Sequence, residues 1–270
     1  GVYPERLRQA IDDGWHTGDE LPGSHGLGHV GAMKMISDGS LNTRSAYCSM
    51  PYSGIRPETY GTLSYAPEQI ESYMRLAVEH GFDIACHAIG DEANTIVLDC
   101  VERTHAHGSI EHAQMLKECD ISRLAQLGLA ASIQPQHAMD DRDVIARFWG
   151  TPAGIPYAFN SLHKAGTKLL MGSDAPVAPL DPWLAISAAV FGTESSDREP
   201  FQPEQCLDFK TALASSTAVG RVALRDADAA DLVLLDCDPS IIDSPEAMRA
   251  MPEHVLGTML AGRWTYQQAE

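Results

Sequence analysis

The sequence predicts an α/β fold built around a parallel β-sheet. The first observation is the length of 270 residues, which suffices for one large α/β domain or two smaller ones. The second is a composition of 44% hydrophobic and 21% charged residues, which is ordinary for a folded globular protein. The third is the alternation of short apolar runs with helix-periodic segments, spaced roughly 25–40 residues apart, which favours parallel strands with right-handed crossovers.

The alternation begins with a short strand, GAMKMIS (31–37), which is followed by a long turn-rich stretch. Residues 67–80 have apolar side chains at helical spacing, and Pro67 is typical of the first turn of a helix. The next predicted elements, in chain order, are strand 82–88, helix 91–106, strand 109–113, helix 119–128, strand 129–134, helix 159–166, strand 167–173 and helix 181–191. Together they make about five strand–helix units.

The last part of the chain has a different pattern. Residues 204–224 predict a helix, whereas 229–239 and 253–267 predict strands of a small separate β element. A closed eight-stranded α/β barrel takes about 250 residues for eight units. We therefore expect an incomplete set of strand–helix units in residues 1–225 and the small β element in residues 226–270.

Composition excludes several kinds of partner. The formal net charge of −18 disfavours nucleic acid, because such a surface repels phosphate backbones. No run of about 18 consecutive apolar residues occurs, so we expect no membrane span. The first residues, GVYPERLRQA, do not resemble a signal peptide. The six cysteines form no CxxC pair, which favours free thiols in a reducing cytoplasm. A small-molecule substrate is the expected partner.

Polar residues stand in or just after the predicted strands. Because parallel strands end at one edge of a sheet, these side chains are expected to converge there. Imidazoles and a carboxylate in such an arrangement are the ligands of zinc or a similar ion, and a catalytic site keeps one position open for water. The residues are Lys34, Asp38, His87, Asp91, His112, Gln134, His137 and Asp174.

Each of these residues also has a simpler interpretation. A single histidine at a strand end is more often a surface or hydrogen-bonded residue, and Asp174 is also suited to a helix cap or a turn before Pro176. Asp38 and Asp91 are equally compatible with caps or turns. Lys34, inside an apolar strand, is harder to explain in this way, because a buried lysine needs a partner or a lowered pKa.

Five strings resemble the metal-dependent amidohydrolase superfamily, and most closely the amidohydrolase 3 branch that includes N-substituted formamide deformylase. They are KMISDGSLNTRSA, HAIGDEAN, IEHAQML, SIQPQH and GSDAPV, in this order, and the resemblance covers roughly residues 28–266. It implies a (β/α)8 TIM barrel with one or two divalent metals, usually zinc. On this basis we expect a partial barrel, about strands 4–8, with the remnant of a small β-sandwich domain.

The resemblance also implies roles for individual residues. His87 would be the metal ligand at strand five, and His112 the ligand at strand six. Asp174 would be the ligand at strand eight and the proton shuttle, and Lys34 the strand-four lysine that is carboxylated in two-metal members. The implied reaction is hydrolysis of a C–N bond, as in an amide or formamide. Arg44, Asp38, Asp91, Gln134 and His137 would contact substrate or support the ligands, and YCSMPYSG (47–54) is a candidate lid.

One family feature is missing from this sequence. No His-x-His motif ends a first strand, and the pair His105 and His107 lies instead at the end of the predicted helix 91–106, before the predicted strand 109–113. The resemblance therefore predicts the carboxyl-terminal portion of a hydrolase, which self-associates as a homo-oligomer or pairs with a missing amino-terminal segment. Two other readings stay open: a catalytically inactive remnant that serves as a binding or assembly module, and an α/β-barrel sugar enzyme or lyase that works without metal.

Overall fold

The computed structural model describes residues 1–150, 152–218 and 220–268, and it shows a mixed α/β fold with a parallel sheet. The elements in chain order are α1 (Pro4–Asp12), β1 (Met33–Ile36), α2 (Pro67–Glu79), β2 (Ile84–Ala88), α3 (Asp91–Thr104), β3 (Gly108–His112), β4 (Met115–Leu116), α4 (Glu118–Gln126), β5 (Ala130–Ile133), α5 (Pro135–Phe148), β6 (Ile155–Pro156), α6 (Phe159–Lys164), β7 (Lys168–Met171), α7 (Pro182–Phe191), α8 (Phe209–Ser215), β8 (Leu232–Leu235), α9 (Pro245–Arg249), β9 (Val255–Leu260) and β10 (Arg263–Gln267).

The chain divides into two compact units. The first holds Gly1–Ile133 and Asp141–Leu169, and the second holds Gln134–Asp140 and the chain from Leu170 onward. The prediction of a barrel portion in residues 1–225 and a β element in 226–270 stays a prediction.

The first unit is organised by the parallel sheet. Strand β1 pairs with β2, β2 with β3 and β3 with β5, all in parallel, and β7 follows β5 in the strand order. Since side chains alternate along a strand, each strand presents two different faces. One face is apolar and fully buried; its members include Met33, Met35, Ile84, Cys86 and Ile110.

Helices α2 and α3 belong to the same unit and pack against each other. Ile70, Met74 and Ala77 are fully buried at helical spacing on α2, as its periodicity predicted. Burying a side chain such as Ile70 or Met74 contributes about 1.5–3 kcal/mol to folding. The helix begins at Pro67, whose missing N–H is not needed in the first turn.

The second unit contains α7, α8, α9 and an antiparallel sheet in the order β10-β9-β8. Asp181 caps α7 by accepting a hydrogen bond of 2.9 Å from the Trp183 N–H. The predicted strand 253–267 is a hairpin, because Ala261 and Gly262 turn the chain with φ of 49° and 75°.

The predicted helix over residues 204–224 is much shorter than expected. Only Phe209–Ser215 is an α-helix, and Val219 lies outside the described residues. The helix starts where Asp208 accepts from the Thr211 N–H, and it ends where Ser216 and Thr217 bond back to main-chain carbonyl oxygens. Such side-chain bonds compete with the helical backbone, which explains the early end. Within the described chain, none of the helices combines the length and apolar character needed to cross a membrane.

Candidate metal centre

Two of the predicted ligands come together at the carboxyl ends of neighbouring strands. His87 lies in β2 and His112 ends β3, where it takes the left-handed backbone with φ of 71°. The two rings are edge to face, with centroids 4.6 Å apart. Because His112 is turned in this way, its imidazole lies against that of His87, so two strand-end imidazoles are in contact within the first unit.

Lys34 shares a sheet face with His87. The register pairs Lys34 with Ala85 and His87 with Glu111, so the side chains of all four point from the same face. Lys34 is half-buried, and among the residues that the structure describes nothing forms a hydrogen bond or ion pair with its Nζ.

Sequence reasoning missed Glu111. This carboxylate is half-buried, accepts a hydrogen bond of 2.5 Å from the Ser109 hydroxyl, and lies beside His87 in the register. The sequence did contain a signal for Glu111. Side chains alternate between the two faces of a strand, so the residue before the strand-end His112 points to the same sheet face as His87 of the neighbouring strand.

Asp38 is completely buried directly after β1. Its carboxylate accepts three main-chain hydrogen bonds, from the N–H groups of Tyr47 (2.9 Å), Ile89 (3.1 Å) and Gly90 (2.9 Å). His87 Nε2 lies 3.4 Å from one of its oxygens and 3.1 Å from the Gly39 carbonyl oxygen.

Asp91 opens α3 and is also buried. It accepts a hydrogen bond of 3.0 Å from the Ser49 N–H and a second from the Ser49 hydroxyl. Further along, the Ser53 N–H donates to the Phe148 carbonyl oxygen at 2.7 Å. The stretch 47–54, proposed from sequence as a lid, is therefore tied to α3 and to the end of α5.

Arg44 is exposed in the loop after β1 and has φ of 57°. Its guanidinium lies 5.4 Å from the centre of the Phe148 ring, within cation–π range. Arg147 stacks on the same ring at 4.9 Å. These contacts place two cations beside one aromatic ring, next to the loop that follows β1.

Asp141 is a second buried carboxylate that sequence reasoning missed. It accepts hydrogen bonds of 2.7 Å from Asn42 Nδ2, Gln114 Nε2 and the Tyr157 hydroxyl. These donors follow β1, β3 and β6, so Asp141 joins three connecting loops of the first unit. Its partners are distant in sequence, and no local pattern could have indicated them.

The remaining predicted residues lie in the second unit. Gln134 is buried and its carbonyl oxygen accepts from the His137 N–H at 3.0 Å, which starts α5. A ring nitrogen of His137 and a carboxylate oxygen of Asp174 lie within 4.8 Å of each other. Asp174 is exposed after β7 and has φ of 56°. This pair offers one nitrogen and one oxygen donor.

The donor types fit a divalent metal. Imidazole nitrogens and carboxylate oxygens are the usual ligands of catalytic zinc. The His87–His112 pair in the first unit and the His137–Asp174 pair in the second both supply them.

A parallel α/β sheet with imidazole side chains at its strand ends is an arrangement that can bind a divalent metal. Comparison with known proteins agrees, because the model of the Amidohydrolase family matches residues 4–266. The chain belongs to the Amidohydrolase family.

Two individual proteins have similar levels of sequence identity to this chain. The chain is 31% identical over 256 residues to Protein LONG AFTER FAR-RED 3 of Arabidopsis thaliana, covering 88% of this chain and 43% of that protein. It is 29% identical to YtcJ of Bacillus subtilis (strain 168), whose name describes an amidohydrolase, over 100% of this chain and 54% of that one.

Solved structures give the same result. An uncharacterized metal-dependent hydrolase from Pyrococcus horikoshii OT3 superimposes with a TM-score of 0.71 and 31% identity, over 81% of this chain and 44% of that one. The chain thus spans about half the length of the relatives it matches.

Proposed function

We propose that this chain is part of a metal-dependent amidohydrolase that hydrolyses a C–N bond of an amide or formamide type. The observation that carries the proposal is the pairing of His87 and His112, 4.6 Å apart at the ends of adjacent parallel strands, in a chain of the Amidohydrolase family. The similarity to an uncharacterized metal-dependent hydrolase from Pyrococcus horikoshii OT3 supports a metal and hydrolysis, and the C–N bond is our proposal.

The proposed metal ligands are Lys34, His87, His112 and Asp174. When bound, zinc would supply Lewis acidity toward a carbonyl oxygen and acidify a water molecule. Asp174 is the proposed proton shuttle, because an exposed carboxylate can accept a proton from water and donate that proton to the leaving nitrogen. Arg44, on the rim of the first unit, is positioned to attract an anionic part of the substrate.

The whole protein would be larger than this chain. Relatives about twice as long have room for the remaining barrel strands, for a His-x-His motif and for the rest of a β-sandwich. The proposal includes a partial barrel in residues 1–225, a β-sandwich portion in 226–270, and pairing with an amino-terminal segment or a second copy. Six free cysteines support a reducing, cytoplasmic location.

A second candidate function is a catalytically inactive binding or assembly module. The favouring observation is that His105 and His107, the one His-x-His pair of the sequence, stand at the end of α3 and before β3. His107 precedes the first residue of β3, whereas His112 is its last residue. The His105–His107 pair therefore lies at the end of the strands opposite to His87 and His112.

Metal binding and amide hydrolysis distinguish the two candidates. We expect the chain, expressed with its natural upstream sequence, to bind zinc and to release amine from a panel of simple N-formyl and N-acyl compounds. His87→Gln and His112→Gln should each remove most of the zinc, whereas Asp174→Asn should lower kcat by about 10²–10⁴-fold, the usual contribution of a positioned acid–base group. His163→Gln, at an exposed position of α6, is the matched control.

Zinc content and turnover that are unchanged in His87→Gln would refute the proposed site. Zinc binding without turnover of any amide in the panel would support the binding module instead.

A further inference from the structure

The role of the Asp38 carboxylate is the strongest unexplained feature of the first unit. Its side chain has no exposed surface, and both oxygens accept main-chain hydrogen bonds. A carboxylate that is buried and saturated in this way cannot contact a substrate. Its one side-chain neighbour of interest is His87, whose Nε2 lies 3.4 Å from Asp38 Oδ1.

The surroundings of His87 Nε2 fix where the ring proton lies. Two oxygen atoms lie close to Nε2, the Gly39 carbonyl oxygen at 3.1 Å and an Asp38 carboxylate oxygen at 3.4 Å. Both atoms can only accept, so Nε2 must donate. In the neutral ring the other nitrogen, Nδ1, then has the lone pair, and a metal binds an imidazole through that lone pair.

Asp38 also connects this histidine to two other segments. The Ile89 and Gly90 N–H groups belong to the turn between β2 and α3, and the Tyr47 N–H belongs to the stretch tied to Asp91. One carboxylate therefore fixes the strand that carries His87, the start of α3 and the loop after β1.

We propose that Asp38, together with the Gly39 carbonyl, is a positioning residue that holds the Nε2–H tautomer of His87 and directs Nδ1 to the metal. The part of this inference that concerns Nδ1 and the metal rests on the proposed function. The part that concerns the tautomer stands on the hydrogen-bond geometry. Partners of this kind typically change metal affinity by 10–100-fold, because they orient the ring and raise its basicity.

The first experiment needs no substitution of Asp38. The chain, expressed with its natural upstream sequence, is labelled with ¹⁵N-histidine, freed of metal, and studied by long-range ¹H–¹⁵N correlation about one to two pH units above the reference histidine pKa of about 6.5. The His87 signals are identified as those missing from His87→Gln. We expect a protonated Nε2 and a lone pair on Nδ1, and a protonated Nδ1 would overturn the proposal.

Zinc titration of the same sample separates this inference from the proposed function. Zinc should shift the Nδ1 resonance and leave Nε2 protonated, and coordination through Nε2 would overturn the inference. If zinc moves neither nitrogen while the tautomer is as expected, the proposed metal site fails and the assignment of the tautomer stands.

Substitution then tests the contribution of Asp38. Asp38→Asn should raise the zinc dissociation constant, read at the His87 Nδ1 resonance, by about 10–100-fold. The matched control is Asp120→Asn, which alters another buried carboxylate whose partners are Thr95 and Arg123. A zinc dissociation constant of Asp38→Asn equal to that of Asp120→Asn would overturn the role of Asp38. If Asp38→Asn fails to fold, the tautomer measurement on the parent protein still decides whether the proposal stands.

Discussion

Removal of the Asp141 carboxylate should destabilise the first unit by about 2–4 kcal/mol. Asp141→Ala removes the acceptor that three donors share, but the donors are not equivalent. Asn42 is exposed and can bond to water, whereas Gln114 and Tyr157 are 2% and 3% exposed. The loss of this acceptor costs about 1–3 kcal/mol for each buried donor, and relief from burying a charge offsets part of the sum.

Urea unfolding followed by circular dichroism measures this loss. The matched control is Asp140→Ala, because Asp140 is the adjacent exposed carboxylate and its hydrogen bond from Gln136 Nε2 is long, at 3.4 Å. Substitution of an exposed residue of this kind usually changes stability by less than about 0.5 kcal/mol.

A double-mutant cycle identifies the cause. Tyr157→Phe should cost about 1–2 kcal/mol in the parent chain and close to nothing in the Asp141→Ala chain, since the acceptor is already gone. If Asp141→Ala is no less stable than Asp140→Ala, or if the two substitutions are additive, the reasoning about buried donors is refuted.

Three further predictions concern a glycine, a thiol and a carboxyl group. Gly90→Ala should lower the melting temperature, because an added Cβ would lie 2.0 Å from a carbonyl oxygen, whereas Gly172→Ala, with open space around it, should leave it unchanged. Burial raises the pKa of Cys48 to about 12, so a thiol reagent at neutral pH should modify exposed Cys119 and spare Cys48; rapid modification of Cys48 in the folded chain would contradict this. Since the raised pKa belongs to the folded state, stability should fall as pH rises from about 9 toward 12. Hydrogen bonds from the main-chain N–H and the hydroxyl of Ser196 lower the pKa of Glu246 to about 2. The carboxyl resonance of Glu246 should therefore titrate well below 4.5, and the stability that these bonds contribute should be lost as pH falls from about 4.5 toward 2. A titration midpoint near 4.5 would exclude these bonds in solution.

Elements with a strong periodic pattern were predicted closely. The predicted helix 67–80 is Pro67–Glu79, and the predicted strand 82–88 is Ile84–Ala88. These segments bury one face against the same layer throughout, so their apolar residues recur at the period of the element. The polar residues at strand ends could be found for the same reason, because chain position alone places them at one edge of a parallel sheet.

Helix α5 was not predicted, since its burial does not follow an apolar period. Gln136 and Asp141 are buried polar residues on this helix, and each is satisfied by partners far away in sequence. A buried polar residue with a distant partner is indistinguishable, in the sequence, from an exposed one.

The sequence by itself determined the alternation of strands and helices, the family, and the residue types able to bind a metal. These features follow from side-chain chemistry and from the short-range periods of helix and strand. Only the tertiary structure decided that His112 turns toward His87, that Glu111 joins their sheet face, and that Asp38 is buried against His87 and not open to a substrate. Backbone reversals, strand register and hydrogen bonds between distant segments depend on contacts that form only when the chain has folded.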